Sequence, residues 1–341
     1  MINMKTILIT GGAGFIGSNT VNYFAQKNWK VIILDNLSRK GSKDNLHWLE
    51  SQGHDSIEFL NLDIRDTNSI HAVFKKNRID ALIHLAAQAA VTKSVDDPKQ
   101  DFDINAIGTL NILESLRQYS PETIMINAST NKVYGQLEDT EIIEEKDRYK
   151  FASLSEGISE NMPLDFHSPY GCSKGAADQY TIDYSRIYGL ITTTFRQSCI
   201  YGPRQFGSED QGWISWFIVA TLSNKQLKIY GDGKQVRDVL YIDDLIHAYD
   251  LAINNPNNIN GEAFNVGGGV NNTSSLKELL DMLTIILDKE IPYTLEEERP
   301  GDQKVYISNI EKISKQLGWN PKISPQEGVN RLIEWTRKQI K

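Results

Sequence analysis

The chain has 341 residues, of which 40% are hydrophobic and 23% are charged, and its formal net charge is −8 at pH 7. This composition is typical of a globular protein with two domains or one large one. The acidic balance argues against binding to nucleic acid or to an anionic membrane, because both partners require an excess of Lys and Arg. Two cysteines, Cys172 and Cys199, indicate buried thiols in a reducing compartment and no metal site. The longest apolar run, 213–222, is too short to span a bilayer.

The first motif is a buried strand followed by a glycine turn. The apolar run 6–9 precedes TGGAGFIG at 10–17, and a helical pattern follows to about Lys27. Glycines at this spacing allow a tight turn, the approach of a pyrophosphate, and close packing of helix on strand. The free amides at the helix N-terminus favour phosphate. The predicted dinucleotide contacts here are Gly11, Gly14, Phe15, Ile16 and Gly17.

A second strand, 30–34, ends in Asp35, at the distance expected for an acid that binds the adenosine ribose. A carboxylate there favours NAD over NADP, because it would repel a 2′-phosphate. Arg39 and Lys40 follow closely, and their positive charges could accept the 2′-phosphate of NADP, which is the alternative cofactor. The predicted cofactor contacts of this segment are Asp35, Asn36, Ser38 and Arg39.

The alternation of strands and helices continues through the first half, with further strands at 57–60, 80–84 and 123–128. It predicts an α/β fold with a doubly wound parallel sheet and ligands at the carboxyl ends of the strands. Asn105, in a helical pattern over 98–119, either fixes backbone near the site or packs the helix. The cofactor contacts predicted in this part of the chain are Asp63, Ile64, Leu85, Ala86, Ala87 and Asn105.

The segment SPYGCSK at 168–174 places Tyr170 and Lys174 four residues apart near the start of a predicted helix. Residues at this spacing share a helix face. Pro169 favours a helix start, and Ser168 can cap it. An ammonium held near a phenol lowers the pKa of the phenol and makes it a proton acceptor. The alternative for the pair is a surface Tyr and Lys on an amphipathic helix.

Thr130 emerges at the end of the fifth strand, at the edge where the dinucleotide is expected. It can hydrogen-bond a substrate oxygen beside Tyr170, and the alternative is an ordinary Ser/Thr turn. The stretch 136–166 that follows is polar and has no clear periodicity, so we predict a long loop. The strand–helix rhythm loosens beyond residue 200. We therefore predict a dinucleotide-binding domain over 1–190 and about 236–262, and a substrate domain over 191–235 and 263–341.

Several motifs together resemble the extended short-chain dehydrogenase/reductase family, in its nucleotide-sugar epimerase branch. They are TGGAGFIG at 10–17, DNLS at 35–38, HLAA at 84–87, STNKVYG at 129–135, SPYGCSK at 168–174, YGPRQ at 201–205 and RDVLYIDD at 237–244. The resemblance implies a Rossmann-type sheet with a smaller C-terminal α/β substrate domain and bound NAD. It implies Thr130, Tyr170 and Lys174 as catalytic residues, and a homodimer or homotetramer.

Within this branch the resemblance is strongest to the CDP-sugar 2-epimerase group, in the stretches 35–49, 164–180, 204–217 and 231–240. It implies inversion at C2 of CDP-paratose to CDP-tyvelose, for lipopolysaccharide O-antigen, in the cytoplasm. A UDP-hexose 4-epimerase, a sugar-nucleotide reductase and a non-catalytic NAD-binding regulatory protein are the alternatives. The predicted substrate contacts are Thr130, Asn131, Gln197, Arg204, Arg237 and Arg299.

Asn131 and Lys132 separate this chain from other members of the family. The 4,6-dehydratases carry an Asp-Glu pair at these positions, and the decarboxylating members carry a glutamate. An amide and an ammonium cannot supply the acid and base of an elimination. The sequence therefore favours reversible oxidation with inversion over dehydration or decarboxylation.

Overall fold

The computed structural model describes residues 4–209, 211–298 and 303–340. The strands are β1 Thr6–Thr10, β2 Lys30–Asp35, β3 Ile57–Asn61, β4 Ala81–His84, β5 Ile124–Thr130, β6 Ile142–Glu144, β7 Tyr149–Phe151, β8 Thr192–Gln197, β9 Cys199–Tyr201, β10 Leu227–Tyr230, β11 Val236–Tyr241, β12 Ala263–Val266, β13 Thr273–Ser275, β14 Tyr293–Glu296 and β15 Val305–Tyr306. The helices are α1 Phe15–Gln26, α2 Ser42–Ser51, α3 Thr67–Lys76, α4 Val91–Asp96, α5 Pro98–Phe102, α6 Gly108–Tyr119, α7 Ser168–Tyr188, α8 Trp213–Leu222, α9 Ile242–Asn254, α10 Pro256–Ile259, α11 Leu276–Leu287, α12 Glu311–Leu317 and α13 Pro325–Gln339. A π-helical turn, Asp103–Ile107, and a 3₁₀ turn, Asn131–Tyr134, complete the elements.

A seven-stranded sheet in the order β12-β8-β5-β4-β1-β2-β3 organises the molecule, and all of its strand pairs are parallel. Strands β1, β4 and β8 are buried along their whole length, which agrees with their apolar or β-branched composition. Helices cover both faces and bury two hydrophobic clusters against the sheet. The predicted fold class is confirmed.

The order of the strands creates the opening in which a ligand can lie. β1 pairs with β2 on one side and with β4 on the other, so the chain reverses direction of winding between β1 and β4. The connections that leave β1 and β4 consequently diverge at the carboxyl edge of the sheet. The glycine turn at 11–14 and the segment after His84 border this opening.

Three smaller sheets lie beyond the carboxyl edge, and they correct the predicted domain boundaries. Strands β8 and β12 belong to the seven-stranded sheet, although the sequence assigned 191–235 and 263–341 to the substrate domain. β11, assigned to the cofactor domain, pairs instead with β9, β13 and β15. These errors have one cause: strand partners are chosen by non-local pairing, which the local pattern does not show.

The predicted loop 136–166 contains the antiparallel hairpin formed by β6 and β7. Tyr149 and Phe151 on β7 pack with Val236 and Tyr306 of the smaller sheets. The segment is thus packed against the smaller sheets in a shared hydrophobic cluster. Each strand has only three residues, too few to show a period of two in the sequence.

The predicted helix 98–119 is interrupted. α5 and α6 are joined by the π-helical turn, which contains Asn105. Such single π turns inside helices occur often at functional sites. Within the described ranges, none of the helices combines the length and the apolar content that a bilayer span requires.

A buried ion pair fastens α7 to the sheet. Asp178 on α7 and Arg196 on β8 are 0% and 4% exposed, and their side chains meet at 2.9 Å. Both carboxylate oxygens of Asp178 accept bonds from the guanidinium, and Arg196 also donates to the Tyr134 hydroxyl at 3.0 Å. Tyr134 in turn donates to Asn265 on β12 at 2.7 Å. One network therefore joins α7, the 3₁₀ turn and two strands.

Asp178→Asn should lower the free energy of unfolding by about 3–5 kcal/mol, because it leaves the buried Arg196 charge without its counter-ion. Chemical denaturation measures the change. The matched control is Asp183→Asn on the exposed face of the same helix, where the side chain is 55% exposed and the expected change is within about 0.5 kcal/mol. Equal effects of the two substitutions would contradict the prediction.

Candidate active site

A cleft of about 500 Å³ runs from the glycine turn to the smaller sheets. Its volume lies within the range of small-molecule and cofactor sites. It brings together most of the residues that the sequence singles out. The predicted residues that line it are Gly11, Gly14, Phe15, Ile16, Gly17, Arg39, Leu85, Ala87, Thr130, Asn131, Tyr170, Lys174, Gln197 and Arg237.

The glycine turn has the shape that a dinucleotide pyrophosphate requires. Gly11 has φ +67°, and a Cβ there would lie 2.8 Å from the Ala86 amide nitrogen. A Cβ on Gly17 would lie 2.1 Å from the Gly11 carbonyl oxygen. The first turn of α1 has no side-chain cap, so its amides face the cleft edge without a competing oxygen. An anionic group is the natural occupant of such a terminus.

Asp35 ends β2 and stabilises the glycine turn. Its carboxylate accepts the N–H of Ala13 at 3.0 Å and that of Leu37 at 2.8 Å. Burial raises the pKa of Asp35, and these two backbone bonds oppose the rise. Each carboxylate oxygen can still accept another bond. These residues therefore fit the ribose hydroxyls of an adenosine.

Several residues predicted to contact the cofactor do not line the cleft. Asp63 is held by Arg65 at 2.8 Å and by Asn36 at 2.9 Å, and the bond from Arg65 lowers the pKa of Asp63 to about 2. Ile64 lies in the core, and the Ala86 N–H donates to the Thr10 hydroxyl. The residues off the cleft are Asp35, Asn36, Ser38, Asp63, Ile64, Ala86 and Asn105.

Tyr170 and Lys174 lie on the first turns of α7 and both line the cleft. The Ser168 hydroxyl accepts the N–H of Gly171 at 3.2 Å, which is the predicted cap. The Lys174 ammonium donates to the Ala128 carbonyl at 2.6 Å and is only 4% exposed. Burial lowers the pKa of Lys174 to about 8, against the opposing charges of Asp178 and Asp101.

The expected lowering of the Tyr170 pKa by Lys174 is wrong for the protein alone. Burial raises the pKa of Tyr170, a hydrogen bond with Thr130 opposes the rise, and the negative charge of Asp101 adds to it. The ammonium of Lys174 donates its hydrogen bond to the Ala128 carbonyl near the end of β5. The sequence could place the two side chains on one face but could not show where the ammonium points.

Thr130 lies where β5 passes into the 3₁₀ turn. Its hydroxyl lies 3.3 Å from the amide oxygen of Asn131 and accepts the N–H of Lys132 at 3.2 Å, and Thr130 and Tyr170 line the cleft together. The threonine is thus fixed beside the phenol. A substrate hydroxyl that enters here meets both oxygens at once, which suits transfer of its proton to the phenol.

Arg204 lies apart from the predicted substrate contacts. Its guanidinium stacks between two indoles, 4.1 Å from the Trp48 ring centre and 5.8 Å from that of Trp335. It borders a small pocket beside Gly14 and does not line the cleft. Two aromatic faces, from α2 and α13, hold the guanidinium in this position. Arg299 lies outside the described residues.

Gln197 and Arg237 do line the cleft, on the substrate side. Both are 7% exposed, and Gln197 donates to the Tyr249 hydroxyl at 2.6 Å. Sequence reasoning missed the other polar residues at this end. They include Ser129, Gln211, Lys228, Tyr230 and Gln235. The alternation of buried and more exposed residues in β10 could have revealed two of them. It places Lys228 and Tyr230 on the face opposite two buried residues.

The two cysteines have different surroundings. Cys199 is half-buried and lines the cleft, whereas Cys172 is exposed on α7, so the predicted burial is wrong for Cys172. Among the residues that the structure describes, no three His, Cys, Asp or Glu side chains gather as metal ligands.

The sequence matches the family described as GDP-mannose 4,6 dehydratase over residues 8–332. It is 46% identical to the CDP-paratose 2-epimerase of Salmonella typhi over 335 residues, which cover 97% of this chain and 98% of that protein. The chain belongs to this family of extended short-chain dehydrogenases/reductases. Its predicted membership is confirmed.

Solved structures of the family agree with the fold. The UDP-glucose 4-epimerase of Thermotoga maritima, solved with UDP-glucose, superimposes with a TM-score of 0.84 at 33% identity and covers 98% of this chain and 100% of its own. The UDP-glucose 4-epimerase of Thermus thermophilus, solved with NAD, gives a TM-score of 0.82 at 31% identity, covering 97% and 99%.

The burial of Lys174 has a measurable cost. A pKa lowered from 10.5 to about 8 corresponds to about 3 kcal/mol at neutral pH. Below pH 8 the folded and unfolded states both carry the charge, and the cost is complete. Between pH 8 and 10.5 only the unfolded state stays protonated, so wild-type stability rises with pH.

Lys174→Met should therefore raise the free energy of unfolding at pH 7 by up to about 3 kcal/mol, and the gain should shrink as the pH approaches 10.5. Chemical denaturation at pH 7 and pH 10 measures both values. Lys315→Met, at a side chain 70% exposed, is the control and should change neither. A loss of stability that is the same at both pH values would contradict the prediction.

Proposed function

We propose that this enzyme is an NAD-dependent epimerase that inverts C2 of a CDP-linked sugar, converting CDP-paratose to CDP-tyvelose. The observation that carries the proposal is the grouping of Thr130, Tyr170 and Lys174 in a cleft that continues to the glycine turn. The 46% identity to a CDP-paratose 2-epimerase over nearly the whole chain supports the choice of sugar and base.

Inversion at this carbon needs oxidation first. The C–H bond beside a hydroxyl, with no neighbouring carbonyl, is not acidic, so a base cannot remove its proton directly. A keto sugar is planar at that carbon and loses its configuration. NAD, when bound, supplies a reversible hydride acceptor, so the hydride can return to the opposite face and the cofactor is regenerated.

The residues of the chain then have distinct roles. Tyr170 removes the proton of the sugar hydroxyl during oxidation and returns it during reduction. Thr130 holds the hydroxyl in line with the phenol and donates to the developing negative charge. Lys174, which is half charged near pH 8 and lines the cleft one helical turn from Tyr170, would hold the ribose next to the nicotinamide.

The residues that hold NAD in this proposal line the glycine turn and its neighbours. Gly11, Gly14 and the amides of Phe15 and Ile16 border the cleft where a pyrophosphate fits. Asp35 does not line the cleft but bonds the Ala13 N–H of the glycine turn, and its carboxylate is the proposed acceptor for the adenosine ribose. Arg39 lines the same end, and burial lowers the pKa of its guanidinium. The acid at the end of β2 favours NAD over NADP.

The far end of the cleft would hold the sugar nucleotide. Arg237, at the rim of the small sheet formed by β11, presents a guanidinium suited to a pyrophosphate. Asn131 and Lys132 line the cleft beside Thr130 and offer no carboxylic acid for elimination. A ketone formed next to them would persist until it is reduced again.

The wider setting follows from the same resemblance. We propose a role in the cytoplasm, where NAD and nucleotide sugars are available, in making a sugar for lipopolysaccharide O-antigen. We expect a homodimer or a homotetramer, and light scattering measures the mass in solution.

Tyr170→Phe should leave a folded protein that binds NAD and should lower kcat by about 10²–10⁴-fold, because the general base is gone. Product formation from CDP-paratose, followed by NMR, measures the loss. Tyr180→Phe is the control, since this tyrosine is 51% exposed on the same helix and should keep wild-type kcat. Full activity in Tyr170→Phe would contradict the assignment of Tyr170 as the general base.

Substrate deuterated at C2 should keep its label in the product, because the hydride returns from the cofactor that accepted it. Mass spectrometry of the product measures retention. Wash-out of deuterium into water would show enolisation instead. A parallel NMR assay with CDP-, UDP- and GDP-sugars separates C2 from C4 inversion. Inversion at C4 of a UDP-hexose would show that the enzyme is a UDP-hexose 4-epimerase instead.

A further inference from the structure

Asp101 lies on α5, behind α7, and does not line the cleft. It is 1% exposed. Its carboxylate accepts bonds from the side chains of three neighbours: Gln88 at 2.8 Å, Asn105 at 3.2 Å, and Ser173. These three residues come from the segment after β4, from the π-helical turn and from α7. One buried carboxylate thus joins three segments that surround the cleft.

The hydrogen bonds around Asp101 all run from neighbouring side chains to its carboxylate. The amide oxygen of Asn105 accepts the backbone N–H of Gln88 at 2.8 Å, so its nitrogen must face Asp101. The amide oxygen of Gln88 accepts the backbone N–H of Ala90 at 2.6 Å, so its nitrogen also faces Asp101. The Ser173 hydroxyl receives a bond from Asn105 at 3.0 Å and donates its proton to Asp101.

Each of the three neighbouring side chains therefore presents a hydrogen to the Asp101 carboxylate. Asp101 is a buried anion whose three partners are neutral donors. This differs from Asp178, whose charge is largely offset by Arg196 at 2.9 Å. The negative field of Asp101 consequently reaches its surroundings with less compensation.

Lys174 and Tyr170 lie within that field. The titratable groups around Lys174 are Tyr170 and Asp178 on its own helix, His84 on β4 and Asp101 on α5. Burial lowers the pKa of His84 to about 3, so this imidazole is neutral, and it bridges the hydroxyls of Thr10 and Thr109. Asp178 and Asp101 are the two negative charges that favour the ammonium, and Asp178 is shared with Arg196 whereas the hydrogen-bond partners of Asp101 are neutral.

The same residue also orients the first turn of α7. Ser173, which donates to Asp101, lies 3.2 Å from the carbonyl oxygen of Tyr170. The segment after β4 that Gln88 holds carries Leu85, Ala87 and Ala89 on the cleft wall. A change at Asp101 would therefore act on both sides of the cleft without touching a ligand.

We propose that Asp101 is a positioning residue that holds α7 against the π-helical turn and keeps Lys174 charged beside Tyr170. The proposal goes beyond the proposed function, and its catalytic meaning rests on that function. Its central claim, the charge of Lys174, concerns the protein whatever sugar is bound.

The test is an NMR titration of the holoenzyme labelled with ¹³Cε-lysine, in which Lys174→Met assigns the Lys174 signal. Asp101→Asn keeps the shape of the side chain and removes its charge, so the midpoint of Lys174 should fall by about one pH unit. Asp103→Asn, two residues away and paired with the exposed Lys99, is the matched control and should leave the midpoint in place.

Ser173→Ala provides the second variant, in case Asp101→Asn does not fold. It removes a donor but leaves the carboxylate, so the Lys174 midpoint should move upward, opposite to the shift in Asp101→Asn. An unchanged midpoint in a folded Asp101→Asn, or a shift of the same sign in both variants, would overturn the proposal.

Activity supplies a separate readout. In Asp101→Asn the alkaline limb of the kcat profile should move to lower pH together with the Lys174 midpoint, whereas a loss of packing alone would lower the plateau and leave the limb in place. If the NMR shift occurs but no CDP-sugar is epimerised even by wild type, the proposed function fails and the role of Asp101 in charging Lys174 stands.

Discussion

The structure depends on how α7 buries charge. Lys174 and Asp178 lie one turn apart on this helix, at 4% and 0% exposure, and burying such groups is costly unless they are paired or hydrogen-bonded. The Lys174 ammonium donates to the Ala128 carbonyl near the end of β5, and Asp178 forms an ion pair with Arg196 on β8. These two contacts fix the position of α7 along the strands of the sheet. In this position Tyr170 lies beside Thr130.

The cleft follows from the same arrangement. Because β1 lies between β2 and β4, the glycine turn and the segment after β4 separate at the carboxyl edge, and the first turn of α7 faces the gap between them. The smaller sheets close the far side and bring Arg237 to it. A redox cofactor and a sugar nucleotide can thus meet at Tyr170 from opposite ends, which is the geometry that oxidation and return of a hydride require.

Elements with strong local signals were predictable. The predicted helix of Tyr170 is present as Ser168–Tyr188, with a proline in its first turn that favours a helix start. The hairpin of β6 and β7, the π-helical turn and the place of β12 at the sheet edge were not predictable. A strand of three residues shows no period, a π turn differs from an α-helix by one residue, and an edge position depends on a distant partner.

By itself the sequence determined the doubly wound sheet, the glycine turn and the shared face of Tyr170 and Lys174, because each depends on residues close together in the chain. Only the tertiary structure decided that Arg204 stacks between Trp48 and Trp335, that Asp101 lies behind the Tyr170 helix, and that burial raises the pKa of Tyr170. Ionisation and side-chain direction depend on desolvation and on charges from distant segments, and the fold alone brings those together.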